Sequence, residues 1–336
     1  MRRNVTQARV FAAALLAASL GMGGVDMRAV EAPKHGLVTP LGESEKALLQ
    51  GRNDEAIAGL RGVLQTNPES GEAHLLLCRA YYAEEMADAA VTECESALGH
   101  LGQDSQAQDW MGRAYGLKAG HSNPIQGYKL AGRVKTAFEA AVQLNSSNGA
   151  AVNDLGEYYV SAPSILGGGV DRATELANRV HGQLPQESHR ILAMAAEKER
   201  DYATAEREYR AAVSVAGHAD AWTDLGHFYY RQNHTEMALE ALHKALAADR
   251  LHDASLVDVA SILIKMKREP ETAERALADY LGSSVKTDDA PAFKAYVELG
   301  KLKQSLGDKA GAEMAYQSAL GLAKDFEPAR KAIQHV

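Results

Sequence analysis

A chain of 336 residues that is 46% hydrophobic and 24% charged has enough apolar material for a packed core and is not a disordered tail. Its 36 Lys and Arg stand against 44 Asp and Glu, a formal charge of -8, and no basic run of the nucleic-acid-arm kind occurs, so nucleic acid is excluded as an expected partner. Beyond the first 30 residues no apolar stretch nears the roughly 20 residues of a membrane-spanning helix, so a soluble body is expected.

Residues 1–32 read as a signal peptide. Arg2, Arg3 and Arg9 precede an apolar run from Val10 to Gly21, which is too short to span a bilayer but has the length of a signal core. The cleavage site stays open: Met27-Arg28-Ala29 is a poor match, and Val30-Glu31-Ala32 is followed by the blocking Pro33. No Cys stands near the end of the apolar run, which favours a free product over a lipid-anchored one. The alternative is an uncleaved N-terminal helix. Cleavage after Ala29 leaves 32 basic and 43 acidic residues, a charge of -11. The expected location is outside the cytoplasm, periplasmic or secreted.

From residue 37 the chain is internally repetitive: Ala56, Ala90, Ala238 and Ala312 each head an apolar pattern of the same kind. Unit one spans 37–70, with Ala56, Ile57, Leu60 and a terminal Asn67-Pro68, and has Ser44 rather than glycine at the close-approach site. Unit two spans 71–104, with Leu77, Cys78, Tyr81, Ala90, Cys94 and Ala97. Unit three, 105–148, carries Trp110, Met111, Gly112 and Tyr115, then about ten extra residues before Ala137. Unit four, 149–187, carries Leu155, Gly156, Tyr159, Ala173, Ala177 and Pro185, with about five extra residues at its turn. Unit five, 188–218, is shortened. Unit six, 219–252, is the clearest: Trp222, Leu225, Gly226 and Tyr229 at spacings of three, one and three, then Ala238, Leu242 and Ala245 across a turn at Gln232 to His234. Unit seven spans 253–282, a linker runs from Ser283 to Pro291, unit eight spans 293–326, and residues 327–336 read as a polar capping helix.

The unit-six pattern resembles the tetratricopeptide repeat, a helix-turn-helix of about 34 residues, and the resemblance covers nearly all of the chain after residue 36. It implies an all-α fold: a right-handed superhelical solenoid of about eight units, with first helices on the concave surface and second helices on the convex one. The physics agrees, because Gly226 permits close helix approach while Trp222, Tyr229 and Leu242 fill the remaining volume.

Departures from the repeat mark where a particular role is built in. Gly116 to Lys135 contains a break at His121 to Pro124, and helical periodicity from Ile125 through Leu144 makes the second helix of unit three about two turns too long. Ser161 to Ala173 replaces a tight turn with Pro163 and three glycines, putting Ile165 and Leu166 at its tip. With Ile125 and Tyr128, these residues are candidates for a docking knob on one solenoid edge; the alternative is that the loops fold back to cover apolar surface. The pairing is similar to one in exported bacterial tetratricopeptide proteins.

Chemistry motifs fail on context. Ser283-Ser284-Val285-Lys286 matches S-x-x-K, and Ser146-Ser147-Asn148 matches S-x-N, but no K-T-G follows and the order is reversed. Glu240-Ala241-Leu242-His243 is a single E-x-x-H where a di-iron bundle needs two. No catalytic residue, metal or cofactor is expected. Cys78 and Cys94, the only cysteines, face each other across one helix pair, as a disulfide in an oxidising compartment or as two buried thiols.

First-helix positions that point into the concave face are Arg79 and Tyr82, Asp109 and Arg113, and Asn153 and Glu157 in units two to four. Unit six adds Asp220, Thr223, His227, Tyr230 and Arg231, and unit eight adds Lys294, Glu298 and Lys301. This polar mixture with scattered aromatics suits an extended or helical protein segment better than a small molecule. The Lys and Asn set with which some family members clamp a C-terminal carboxylate does not carry over, because acidic or apolar residues hold those places. The reading is a non-enzymatic scaffold of the cell envelope that binds a protein or peptide. A polysaccharide or cell-wall polymer is the alternative object, and an enzyme the remote one.

Overall fold

In a computed structural model, residues 39–284 and 286–336 are described; the proposed signal peptide lies outside them. Among the described residues there are seventeen α-helices and no strand. They form two compact bodies: residues 67–82 with 86–216, and residues 38–66 with 83–85 and 217–336.

Body one holds α3 (Gly71–Ala83, up to Tyr82), α4 (Ala87–Leu101), α5 (Ser105–Gly120), α6 (Pro124–Leu144), α7 (Gly149–Ser161), a 3-10 turn (Ser164–Leu166), α8 (Val170–Val180), α9 (Pro185–Lys198) and α10 (Tyr202–Ala216). Short polar residues start these helices by accepting otherwise unpaired N–H groups. Asp104 accepts from Ala107 N–H at 2.7 Å, and Asn123 accepts from Ile125 and Gln126 N–H at 3.1 Å, with Pro124 in the first helical turn. Helix α9 begins at Pro185, three residues before the expected start of unit five. Proline's fixed φ suits the first turn of this helix better than the end of the preceding unit. Val134, Phe138, Leu155, Tyr158, Leu176 and Ile191 fill the core.

Glycine permits close approach at two of these helices, with different partners. A Cβ on Gly112 would lie 2.4 Å from the Phe138 ring, across the unit's own helix pair. One on Gly156 would meet Ile191 at 2.5 Å, on the first helix of the following unit.

The two insertions are joined. Helix α6 has 21 residues where α4 has 15, and its N-terminal turns carry the extra length. The Tyr158 hydroxyl lies 3.0 Å from the Ala131 carbonyl on α6 and 2.8 Å from the Leu166 carbonyl on the 3-10 turn, sharing its hydrogen between them. Burial pushes this phenol up to about 12. Arg172 donates to the Gly167 carbonyl at 3.1 Å, and the Lys135 stem lies so close to Gly167 that a Cβ there would sit 2.8 Å from it.

Body two holds α1 (Pro40–Leu49), α2 (Asn53–Thr66), α11 (Ala219–Arg231), α12 (Thr235–Ala248), α13 (Ala254–Met266), α14 (Pro270–Gly282), α15 (Ala292–Ser305), α16 (Lys309–Leu322) and α17 (Glu327–Ile333). Leu242, Leu256, Leu263, Leu277 and Tyr280 form one core; Phe293, Val297, Tyr316 and Phe326 form another, with the Phe293 and Phe326 rings edge-on at 4.9 Å. Helix α17 buries Ala329 on this second core, and Gln304 and Lys309 bond the carbonyls of His335 and Val336.

The linear order of the repeat does not predict where the first hairpin goes. Helices α1 and α2 belong to the same body as the last repeats, with α2 touching α16. The Lys324 backbone N–H donates to Asp54 at 2.9 Å, and its ammonium reaches the same carboxylate at 3.3 Å. Lys286 N–H donates to the Leu49 carbonyl. The turn between α1 and α2 passes Ala292 so closely that only glycine fits: Gly51 has φ +74°, and a Cβ there would lie 2.6 Å from the Ala292 Cβ. Asn53, fully buried, donates to Glu84 at 2.6 Å, and burial raises that carboxyl above the usual range.

Candidate functional site

Helices α3, α5, α7 and α9, the first helices of successive units, bring their charged residues into two clusters that make up a network along these helices. Arg113 on α5 lies 2.5 Å from Asp154 on α7 and 3.4 Å from Asp109 one turn earlier on its own helix. Its guanidinium stacks over the Trp110 ring at 4.7 Å, Arg79 approaches the same ring at 5.8 Å, and Tyr82 meets it edge-on at 5.4 Å. Further along, Glu157 on α7 binds Arg190 on α9 at 2.5 Å. All six candidates of units two to four thus lie on these first helices, and five of them make direct contacts within the network.

Asn153 is different. It lies one turn before Glu157 on the same face of α7 and is 3% exposed, yet its Oδ1 is buried and accepts no hydrogen bond from the described protein. A buried amide oxygen with no donor is uncommon in a packed interior, because such groups carry a desolvation cost that a partner normally offsets.

The first helices of body two place their candidates less uniformly. Thr223 donates its hydroxyl to the Ala219 carbonyl at 2.8 Å, inside its own helix. Glu298 and Lys301 pair with each other at 2.6 Å. His227 and Tyr230 stack with ring centres 6.2 Å apart. Burial pushes the His227 imidazole down to about 3, with the Arg231 and Lys265 charges acting in the same direction. Lys294 is lowered by burial against the opposing pull of Glu85, Asp289 and Asp288. Burial, reinforced by Asp289 and Asp224, pushes the Asp258 carboxyl well above its ordinary range. Asp220 and Arg231 complete the α11 set.

His227 therefore stays neutral when folded and takes up a proton readily only when unfolded. A depressed histidine contributes stability that is full above the unfolded value of 6.5 and is lost as the pH falls from there toward about 3. The expected result is that the parent's Tm falls more steeply than that of His227→Asn as acid is added below pH 6.5. Parallel curves would show that His227 does not titrate out of its buried state in this range.

Models of the tetratricopeptide repeat match residues 47–114, 219–250 and 293–326. The chain carries tetratricopeptide repeats. The yeast Tom70 structure aligns over 97% of this chain and 68% of its own at 15% identity with a TM-score of 0.55, a likeness of fold. TTC0263, a tetratricopeptide protein of Thermus thermophilus, matches at 17% identity over 67% of this chain and 97% of its own, with a TM-score of 0.46. Protein FlbA of Caulobacter vibrioides is 32% identical over 142 residues, 41% of this chain; the chain spans only 22% of FlbA's length.

Tetratricopeptide repeats support a protein-interaction scaffold, and family members are typically non-catalytic. The motif residues have structural places in this repeat protein. Lys286 Nζ bonds the Ser283 carbonyl at 2.6 Å and its Oγ at 3.1 Å, and lies 5.1 Å from the Tyr280 ring, closing the end of α14. Asn148 caps α7 by accepting from Ala151 N–H. His243 pairs with Glu269 at 2.8 Å while Glu240 pairs with Lys244. Among the described residues, no three His, Cys, Asp or Glu side chains gather as a metal site, and no helix is long and apolar enough to cross a membrane.

Sequence reasoning missed Trp110, Asp154 and Arg190 as network members. Asp154 directly follows a selected position and stands 41 residues after Arg113, a spacing that includes the unit-three insertion. Arg190 lies in unit five, whose first helix starts at Pro185, three residues before the repeat pattern puts it. Trp110 fits the core pattern of the repeat, and that assignment hid the second face of its ring.

Proposed function

We propose that the protein is an exported scaffold that holds an extended polypeptide segment of a partner along the first-helix face of body one. The observation that carries this reading is Asn153, whose buried Oδ1 has no donor although the neighbouring Asp154 and Glu157 are satisfied by arginines. A peptide N–H is the donor that would complete it, and Arg79, partly exposed over the buried Trp110 ring, offers such a segment a cation on the same first-helix face. Export rests on the arginine-flanked apolar run of residues 2–21. The bonded Cys78 and Cys94 support it, since such bonds persist in oxidising compartments. An envelope protein is accordingly the partner class.

The test uses Asn153→Ala and Arg79→Ala rather than changes at Tyr82, Arg113 or Tyr230, which are buried or ion-paired and would disturb the fold. Asn153→Ala removes an oxygen that makes no bond, so stability should stay within about 0.5 kcal/mol of the parent. Affinity purification of the tagged parent from the host envelope fraction should yield a stoichiometric protein that is lost from the double variant at unchanged Tm. Recovery of the same proteins with both forms removes the first-helix face from the mechanism.

A further inference from the structure

The joined insertions of body one carry a second surface. Helix α6 and the 3-10 turn present Ile125, Tyr128 and Ile165 to solvent at 73%, 53% and 76% exposure, unusually high for large apolar side chains. They are not on slack loops. Ala131 and Leu166 share the Tyr158 hydroxyl, which ties the two protrusions together one turn from Tyr128 and one residue from Ile165.

Charge is segregated at the same place. In a chain where acids outnumber bases, residues 110–138 contain no Asp or Glu but five Lys and Arg. Two of these cations are engaged elsewhere: Arg113 in the internal network and Lys118 with Asp88. Lys129, Arg133 and Lys135 lie along α6, Arg133 bonded to the Tyr115 hydroxyl and over its ring at 5.4 Å, and Lys135 against Gly167. Arg172 adds a fourth charge at the base of the turn, next to the exposed Asp171.

We propose that this surface docks the protein peripherally onto an anionic lipid bilayer, with Ile125, Tyr128 and Ile165 entering the headgroup region and Lys129, Arg133 and Lys135 facing the lipid charges. Three separate protruding side chains ringed by cations suit a deformable charged interface better than a protein partner, which needs a broad flat contact of about 800 Å² per side. Tyrosine, amphipathic and short, sits favourably at headgroup depth, and each lysine near an anionic surface strengthens attachment severalfold. The net negative charge of the rest of the chain is repelled by the same lipids, so the field orients the molecule with this edge toward the membrane.

The experiment uses full-length protein and vesicles of phosphatidylethanolamine containing phosphatidylglycerol, with phosphatidylcholine vesicles as the neutral control. Because the structure bonds Cys78 to Cys94 and leaves no free cysteine, Ile165→Cys can carry a single environment-sensitive fluorophore. Its emission should shift to the blue on anionic vesicles and not on neutral ones, and the shift should reverse as salt is raised. This readout is local, so attachment through the N-terminal apolar run does not produce it. Lys129→Glu in the labelled chain should weaken the response at least fivefold, and Ile125→Ser about tenfold. No shift on anionic vesicles, or an equal shift on neutral ones, overturns the proposal. So does a blue shift that appears without vesicles and tracks dimer formation in light scattering, which would assign the surface to a protein contact.

Discussion

Replacing Arg113 with alanine is expected to lower the unfolding free energy by about 3–4 kcal/mol in denaturant titration, because the change strands charge inside the protein rather than trimming a surface pair. Its side chain is 8% exposed, and the Asp109 and Asp154 carboxylates beside it are at 4% and 13%. An exposed ion pair is worth well under 1 kcal/mol, but removing one partner of a buried set leaves the others desolvated and undercompensated. The contact with the Trp110 face is lost as well. Arg113→Lys should recover only part of the loss, since an ammonium cannot span two carboxylates and lie flat on an indole. A loss below about 1 kcal/mol for the alanine variant would mean that water enters this network and screens it.

The second large effect concerns Cys78 and Cys94, which are bonded across α3 and α4 with Cα atoms 5.2 Å apart. The 16-residue separation corresponds to about 3 kcal/mol of loop-closure stabilisation, so reductant should lower the denaturation midpoint of the parent accordingly. Both cysteines are fully buried, and reduction leaves two small thiols filling the same space. Most of the effect should therefore come from the unfolded chain, with spectra of the reduced native protein nearly unchanged. Cys94→Ser should show no sensitivity to reductant at all. Alkylation of both cysteines in unfolded, unreduced parent would show that the bond does not form.

Much of the architecture was legible because it repeats. The spacing around Trp222, Gly226 and Tyr229 gives helix identity, helix pairing and the small residue at the close approach, and the break before Pro124 shows where α6 runs long. The candidate network was legible by half, since repeat register says which side of a helix faces a neighbour but not which ion finds which. Arg113 could equally have reached forward or back, and only packing decides that Asp154 receives it. The placement of the first hairpin was not legible. Unit one carries the same pattern as its neighbours, and the features that commit it to the final repeat, Asp54, Gly51 and the Leu49 carbonyl, are ordinary until Lys324, Ala292 and Lys286 are set against them.

That hairpin has a consequence for how the molecule is made. Asp54 and Lys324 are 270 residues apart, so α1 and α2 leave the ribosome long before the surface they settle on exists. A linear repeat array can zip up from its first unit as synthesis proceeds. Body two instead keeps its opening hairpin waiting for partners between Lys286 and Lys324, which makes its closure a late, long-range step and exposes the apolar faces of Ala47, Leu48 and Leu60 in the interval. A nascent chain stalled before α16 therefore still holds its opening hairpin without the α16 surface and the Lys324 partner, the form in which a chaperone has most to hold.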